Sequence, residues 1–207
     1  MTDKQKAGAS IMSSIIDISQ RVFSCRVFPG DSAPKKEQVM SIEKGDVCNL
    51  TDFSMCVHNG THIDAPFHFI KDGRTVEQVG LETFVGDCFV ARHSGNVTAA
   101  DAADIMERAE AAGAAERILI AGKATVTAEA ARIFADSAIK LLGNESQTVG
   151  PEDAPKEVHL ILLGADIILL EGIVLADVSE GRYFLSAAPL CLEDCDGAPC
   201  RAYLIKY

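Results

Sequence analysis

The apolar positions change their pattern along the chain. Short runs rich in β-branched residues predict strands at Ile11 to Ile18, Val47 to Val57, Phe84 to Ala91, Arg117 to Ala121, Ile139 to Leu142 and Ile167 to Leu170. The middle is different. Ala99 to Ala115 is rich in alanine and charge and predicts a helix, with Thr98 and Asp101 as candidate N-caps. A second helix is predicted over Thr127 to Asp136, opened by a Thr cap with Glu129 in its first turn. A third runs from Pro155 through Leu163, with proline in its first turn. Turns are expected at Val27 to Asp31, where Pro29-Gly30 punctuates the chain, at Asp72 to Arg74 and at Gly164 to Asp166. Residues 31 to 38 read as an exposed loop, Gly143 to Lys156 as a second loop, and Tyr183 to Tyr207 as two strands around Glu193 to Gly197. No repeat or linker interrupts this order. It predicts one α/β domain over residues 1–207, with a mixed sheet and flanking helices.

Composition narrows the partners. Hydrophobic residues make up 48% of the 207, enough for a substantial core. The most apolar stretch, Val158 to Leu175, is broken by His159, Gly164, Asp166, Glu171 and Gly172, so no run reaches the roughly 18 apolar residues of a membrane span. Met1 to Ser14 lacks a basic start followed by an apolar segment, and no signal peptide is expected. Seven scattered cysteines, an odd number, fit a reduced cytoplasmic setting better than a disulfide framework. A formal net charge of −11 argues against binding nucleic acid and gives no support for binding anionic membranes. In a chain of this size an acidic balance is most often plain solubility, and it stands in no conflict with a small-molecule substrate.

One segment concentrates the chemistry. His58, His62, Asp64 and His68 follow one another at spacings of four, two and four. In an extended chain even offsets project to one side, so all four are expected on one face. Gly60 and Pro66 argue against a helix there, which sets aside a helical His-Glu-x-x-His zinc motif. Imidazole nitrogens and a carboxylate oxygen are ordinary ligands of zinc or manganese. Gly60 allows the backbone to turn between two ligands, and the Thr61 hydroxyl is expected to reach a ligand carboxylate.

The run from His58 to His68 resembles the HxGTHxDxPxH signature of the metal-dependent cyclase/hydrolase family that includes bacterial kynurenine formamidases. Leu169 to Val178 resembles the family's segment around a glutamate ligand, and His159 stands twelve positions before Glu171, where the family has another histidine. Val27 to Asp31 resembles its aromatic-Pro-Gly loop, with Phe28 where Trp or Tyr is common. Ala187 to Leu190 and Pro199 to Ala202 resemble its closing strands. The resemblance implies a swivelling β/β/α fold and two zinc or manganese ions per subunit. His58, His62 and Asp64 would hold one ion, and Asp64, His159 and Glu171 the other. It further implies His68 as catalytic acid/base, Phe28 against the substrate, and a homodimer or larger assembly. Gly143 to Pro151 departs from the family's Asp-Thr-x-Ser-x-Asp-Pro segment, so the metal chemistry carries over more directly than the substrate pocket.

The expected reaction follows from these parts. A divalent metal supplies hydroxide near neutral pH and polarises a carbonyl, and an amine must leave with a proton. His68 suits that transfer, an ordinary imidazole titrating near about 6.5. The resemblance makes hydrolysis of an aryl formamide such as N-formylkynurenine the expected activity. Alternatives are hydrolysis of a cyclic amide, imide or lactone, as by an isatin hydrolase, and metal or ligand binding without catalysis. Cys191, Cys195 and Cys200 lack a nearby histidine and read as small buried hydrophobes; His93 reads as surface.

Overall fold

The computed structural model describes residues 14–207. In chain order it holds β1 (Ile15–Asp17), β2 (Lys35–Met40), β3 (Leu50–Ser54), β4 (His62–Asp64), β5 (Val85–Arg92), β6 (Gly95–Val97), α1 (Ala99–Ala111), β7 (Arg117–Ala121), β8 (Ala124–Val126), α2 (Ala128–Ala135), β9 (Leu141–Asn144), α3 (Lys156–Gly164), β10 (Ile168–Glu171), β11 (Gly181–Ser186), β12 (Gly197–Pro199) and β13 (Tyr203–Ile205).

Nine strands form one mixed sheet in the order β1-β13-β11-β5-β7-β9-β10-β4-β12. β5, β7, β9 and β10 are mutually parallel, and the remaining pairs are antiparallel. The parallel centre follows from the helices: each of α1, α2 and α3 carries the chain back across the sheet before the next parallel strand.

Alternation along the strands builds two cores. In β7, Ile118 and Ile120 join the cluster under the helices, with Phe134, Leu142 and Leu162, while Leu119 turns to the opposite face. There it meets Ile63, Leu141, Leu170, Leu185 and Leu204, residues of both ends of the sheet, so the sheet curls around its own second core. Each such fully buried Leu or Ile contributes about 1.5–3 kcal/mol relative to exposure.

The caps act as expected. Thr98 and Asp101 form a reciprocal capping box, the Thr98 hydroxyl taking the Asp101 N–H and the Asp101 carboxylate taking the Thr98 N–H at 2.9 Å. The Thr127 hydroxyl accepts the Ala130 N–H at 3.3 Å. α3 buries Val158, His159, Leu162 and Leu163 on one face, which turns His159 inward.

Two expectations change. Residues 31 to 38 are not a loop throughout: Lys35–Met40 is a strand, paired with β3 in an exposed ribbon. Its charged residues carry no alternation because neither face is buried. The C-terminal segment forms three strands, since β12 leaves β11 and β13 to pair with β4. Residues 11 to 13 of the expected first strand lie outside the described residues; the described part is Ile15–Asp17.

Candidate metal centre

The site lies at the carboxyl ends of β9 and β10, where the antiparallel strand β4 runs alongside β10. The even spacing of the His run has a different physical basis from one continuous strand. Only His62–Asp64 forms a strand. His58 precedes it in a turn that Gly60 closes with φ +71°, in the left-handed region that suits glycine. His68 follows in a short 3-10 turn that Pro66 opens. Three local structures therefore deliver four side chains to one place.

Six candidate side chains converge. His62 and Asp64 are each 1% exposed, His159 and Glu171 each 2%. The two Asp64 oxygens face different groups. Oδ1 lies 2.8 Å from His58 Nδ1 and 3.3 Å from His62 Nε2, while Oδ2 lies 3.6 Å from His159 Nε2. Glu171 stands 3.5 Å from His62 Nε2 and 3.4 Å from His159 Nε2. The other nitrogens of these rings are held by backbone: His62 Nδ1 by the Gly60 carbonyl at 3.1 Å, His159 Nδ1 by the Pro155 carbonyl at 2.8 Å. Each ring therefore presents Nε2 to the carboxylates. Donor atoms of His58, Asp64 and His68, and those of His62, Asp64 and Glu171, lie within 4.8 Å of one another.

The electrostatics are those of buried carboxylates facing imidazoles. Burial pulls the His58 imidazole down, but Asp64 and Asp196 outweigh it and push it up to about 11. Against the same burial, Asp64 and Glu171 push His62 up to about 9 and His159 up to about 10. Burial raises Asp64, yet His58, His159 and His62 together hold it well below the usual carboxylate range. His58 and then His68 hold Asp196 far below that range.

His68 sits at the rim, its side chain 27% exposed. A cavity of about 240 Å³ opens there, with Phe28 and Phe69 in its wall. Phe28 and His68 therefore face one cavity. Thr61 does not reach a ligand carboxylate. Its hydroxyl donates to the Gly172 carbonyl at 2.7 Å and accepts the Gln20 N–H at 2.9 Å, tying β4 to the end of β10.

Sequence reasoning missed Asp196 and Gln147. Asp196 lies in the stretch read as a connecting turn, 128 positions from His68, and only the packing of β12 on β4 brings it in. Gln147 belongs to the divergent loop; its amide donates to the Gly60 carbonyl at 3.2 Å, the same oxygen that holds His62. That loop also sends the Val149 N–H to Glu171 Oε1 at 2.8 Å. Cys195 and Cys200 are half-buried against the second core, while Cys191 is exposed, contrary to its reading as a buried hydrophobe. His93, partly exposed on the surface, meets the Asn96 carbonyl away from the site.

The model of the Cyclase family, described as "Putative cyclase", matches residues 16–151. A kynurenine formamidase of Erythrobacter litoralis is 32% identical over 204 residues, covering 92% of this chain and 93% of its own. A solved structure described as "The Structure Of Potential Metal-Dependent Hydrolase With Cyclase Activity" is similar with a TM-score of 0.78 and 29% identity, covering 94% of this chain and 98% of that one. Isatin hydrolase A from Labrenzia aggregata reaches a TM-score of 0.78 at 22% identity over 93% of each chain, a likeness of fold.

Proposed function

We propose, from the premise that this chain belongs to the Cyclase family, that it is a metal-dependent hydrolase of an amide bond, acting on N-formylkynurenine or a close aryl formamide. The observation that carries the reading is the convergence of His58, His62, Asp64, His159 and Glu171, with His68 at the rim.

The donor set fits a divalent cation. Asp64 and Glu171 are fully buried carboxylates whose ionic partners, among the described residues, are imidazoles alone. Buried charges of this kind are costly unless a cation offsets them. His58, His62 and Asp64 would hold one ion and Asp64, His159 and Glu171 a second, zinc or manganese by ligand type. When bound, such a metal supplies hydroxide near neutral pH and polarises the scissile carbonyl.

The chain's own residues do the rest. Hydrolysis forms a C–O bond at the formyl carbon and breaks its C–N bond, so the nitrogen must leave with a proton. His68 is the group placed to give it: its Nδ1 is engaged 2.9 Å from Asp196, which leaves Nε2 for the substrate. Phe28 and Phe69 offer an apolar wall for the aryl ring. Products are formate and the aryl amine.

One unit over residues 1–207 carries the activity. The seven free cysteines fit a reducing, cytoplasmic compartment. No helix among the described residues is long and apolar enough to cross a membrane. A homodimer fits the exposed β2–β3 ribbon, whose Phe53 meets Phe23 of the preceding 3-10 turn edge to face at 6.3 Å.

The test is hydrolysis of N-formyl-L-kynurenine by protein stripped of metal and reloaded with zinc or manganese, with isatin run in parallel. Turnover of the formamide only after reloading is expected. Turnover of isatin alone moves the substrate class to cyclic amides. A loaded protein that turns over neither overturns the proposal.

A further inference from the structure

We propose that Asp196 is a positioning residue that serves two histidines at once, fixing His58 toward the metal and His68 toward the substrate. The proposal rests on the reading of His68 as proton donor and of His58 as metal ligand.

A single carboxylate oxygen carries both contacts. Asp196 Oδ2 lies 2.8 Å from His58 Nε2 and 2.9 Å from His68 Nδ1. The two rings stand 4.0 Å apart, tilted by 36°, so their N–H edges meet at that oxygen. Each contact selects a nitrogen on the far side of its ring. With Nε2–H given to Asp196, His58 keeps Nδ1 for the side where Asp64 Oδ1 lies at 2.8 Å. With Nδ1–H given to Asp196, His68 keeps Nε2 for the proton it exchanges with substrate. A carboxylate behind a metal-binding histidine fixes tautomer and ring orientation, and one behind a catalytic imidazole does the same. Here the two duties fall on one atom.

The backbone holds that atom in register. The Asp196 carbonyl accepts the Ala65 N–H at 2.9 Å, and the Cys195 carbonyl accepts the Val76 N–H at 2.9 Å. The next residue, Gly197, pairs with Asp64. Asp196 is also 38% exposed at its side chain, so it is not a buried ion on which the core depends. Its replacement is expected to disturb the two imidazoles rather than the fold.

The experiment compares wild type, D196N and D196A as metal-loaded enzymes on para-substituted formanilides whose anilines differ in basicity. Manganese affinity is measured separately by competition with a chelator. Folding is checked by the melting temperature of each variant, and the two variants guard against one failing to fold. The expected result has two parts. The variants lose kcat roughly 100-fold on the most basic leaving aniline and far less on 4-nitroformanilide, with KM little changed. Their manganese affinity falls about 10-fold or more. Equal loss across the anilides, or unchanged manganese affinity, overturns the double role. If wild type hydrolyses no formanilide, the amide-hydrolase reading fails instead, and the manganese measurement still decides whether Asp196 holds His58.

Discussion

His62 and Glu171 stand directly opposite one another in the antiparallel ladder of β4 and β10, and His62 Nε2 lies 3.5 Å from Glu171 Oε2. Residues paired in this way share a face of the sheet, so strand register alone sets the distance between the two donors. Glu171 is held a second time by the Val149 N–H. Glu171→Gln keeps the shape but removes the charge and turns an amide toward His62 or His159. Bound metal is expected to fall by about one ion per subunit and turnover by about 100-fold or more, since even partners behind the ligands are worth 10–100-fold. Metal analysis of the purified variant beside its rate checks both.

The protons on the site give a pH dependence with a definite sign. In protein stripped of metal, His58, His62 and His159 hold their protons to about 11, 9 and 10, above the 6.5 of an unfolded histidine. A pKa raised by folding stabilises fully below the unfolded value and loses that contribution as pH rises through the folded one. Stripped protein is therefore expected to be most favoured by these groups below about pH 6.5 and to lose their contribution progressively toward pH 9 to 11. Metal must displace the same protons, so binding at neutral pH is expected to release them. Thermal melts of stripped protein across that range test the first part. Calorimetry in buffers of different ionisation enthalpy tests the second.

Gly197 is the close approach on which the other side of β4 depends. A Cβ there would stand 2.4 Å from the Ile63 carbonyl oxygen and 2.9 Å from His58 Cε1. The first contact is relieved only if the β4 and β12 backbones part, and the second only if the His58 ring moves as well. Gly197→Ala is expected to destabilise by about 1–3 kcal/mol, as overpacking does. It is also expected to weaken metal binding through His58. Denaturant unfolding and metal titration separate the two effects.

What was legible in the chain follows from where each element gets its stability. β7 was readable because all five residues from Arg117 to Ala121 are buried and four of them are apolar. α1 and α2 were readable because Thr98 and Thr127 cap them. β2 was not, since Lys35, Lys36, Glu37 and Gln38 are exposed on both faces and only backbone pairing with β3 makes them a strand. β12 was not, because its partner β4 lies far away in sequence. The same long-range pairing hid Asp196. The His run was legible because its members are close in sequence, yet the continuous strand inferred from their even spacing shrinks to His62–Asp64.

His68 differs from the other clustered histidines in exposure, and that difference predicts how its loss should read. Its side chain is 27% exposed at the cavity rim, against 1% for His62 and 3% for His159. It touches Asp196 and packs its ring against those of His58 and Phe69 at 4.0 and 4.6 Å. Removing it leaves Asp64 and Glu171 with their imidazole partners His58, His62 and His159. His68→Ala is therefore expected to keep its metal while kcat on an aryl formamide falls about 10²–10⁴-fold, the range of a lost general acid. The deficit should shrink for a leaving amine that departs readily without a proton. Metal content, kcat and KM measured on the same preparation check this. Turnover equal to wild type would remove His68 from the reaction, and loss of metal together with activity would make it a ligand rather than a proton donor.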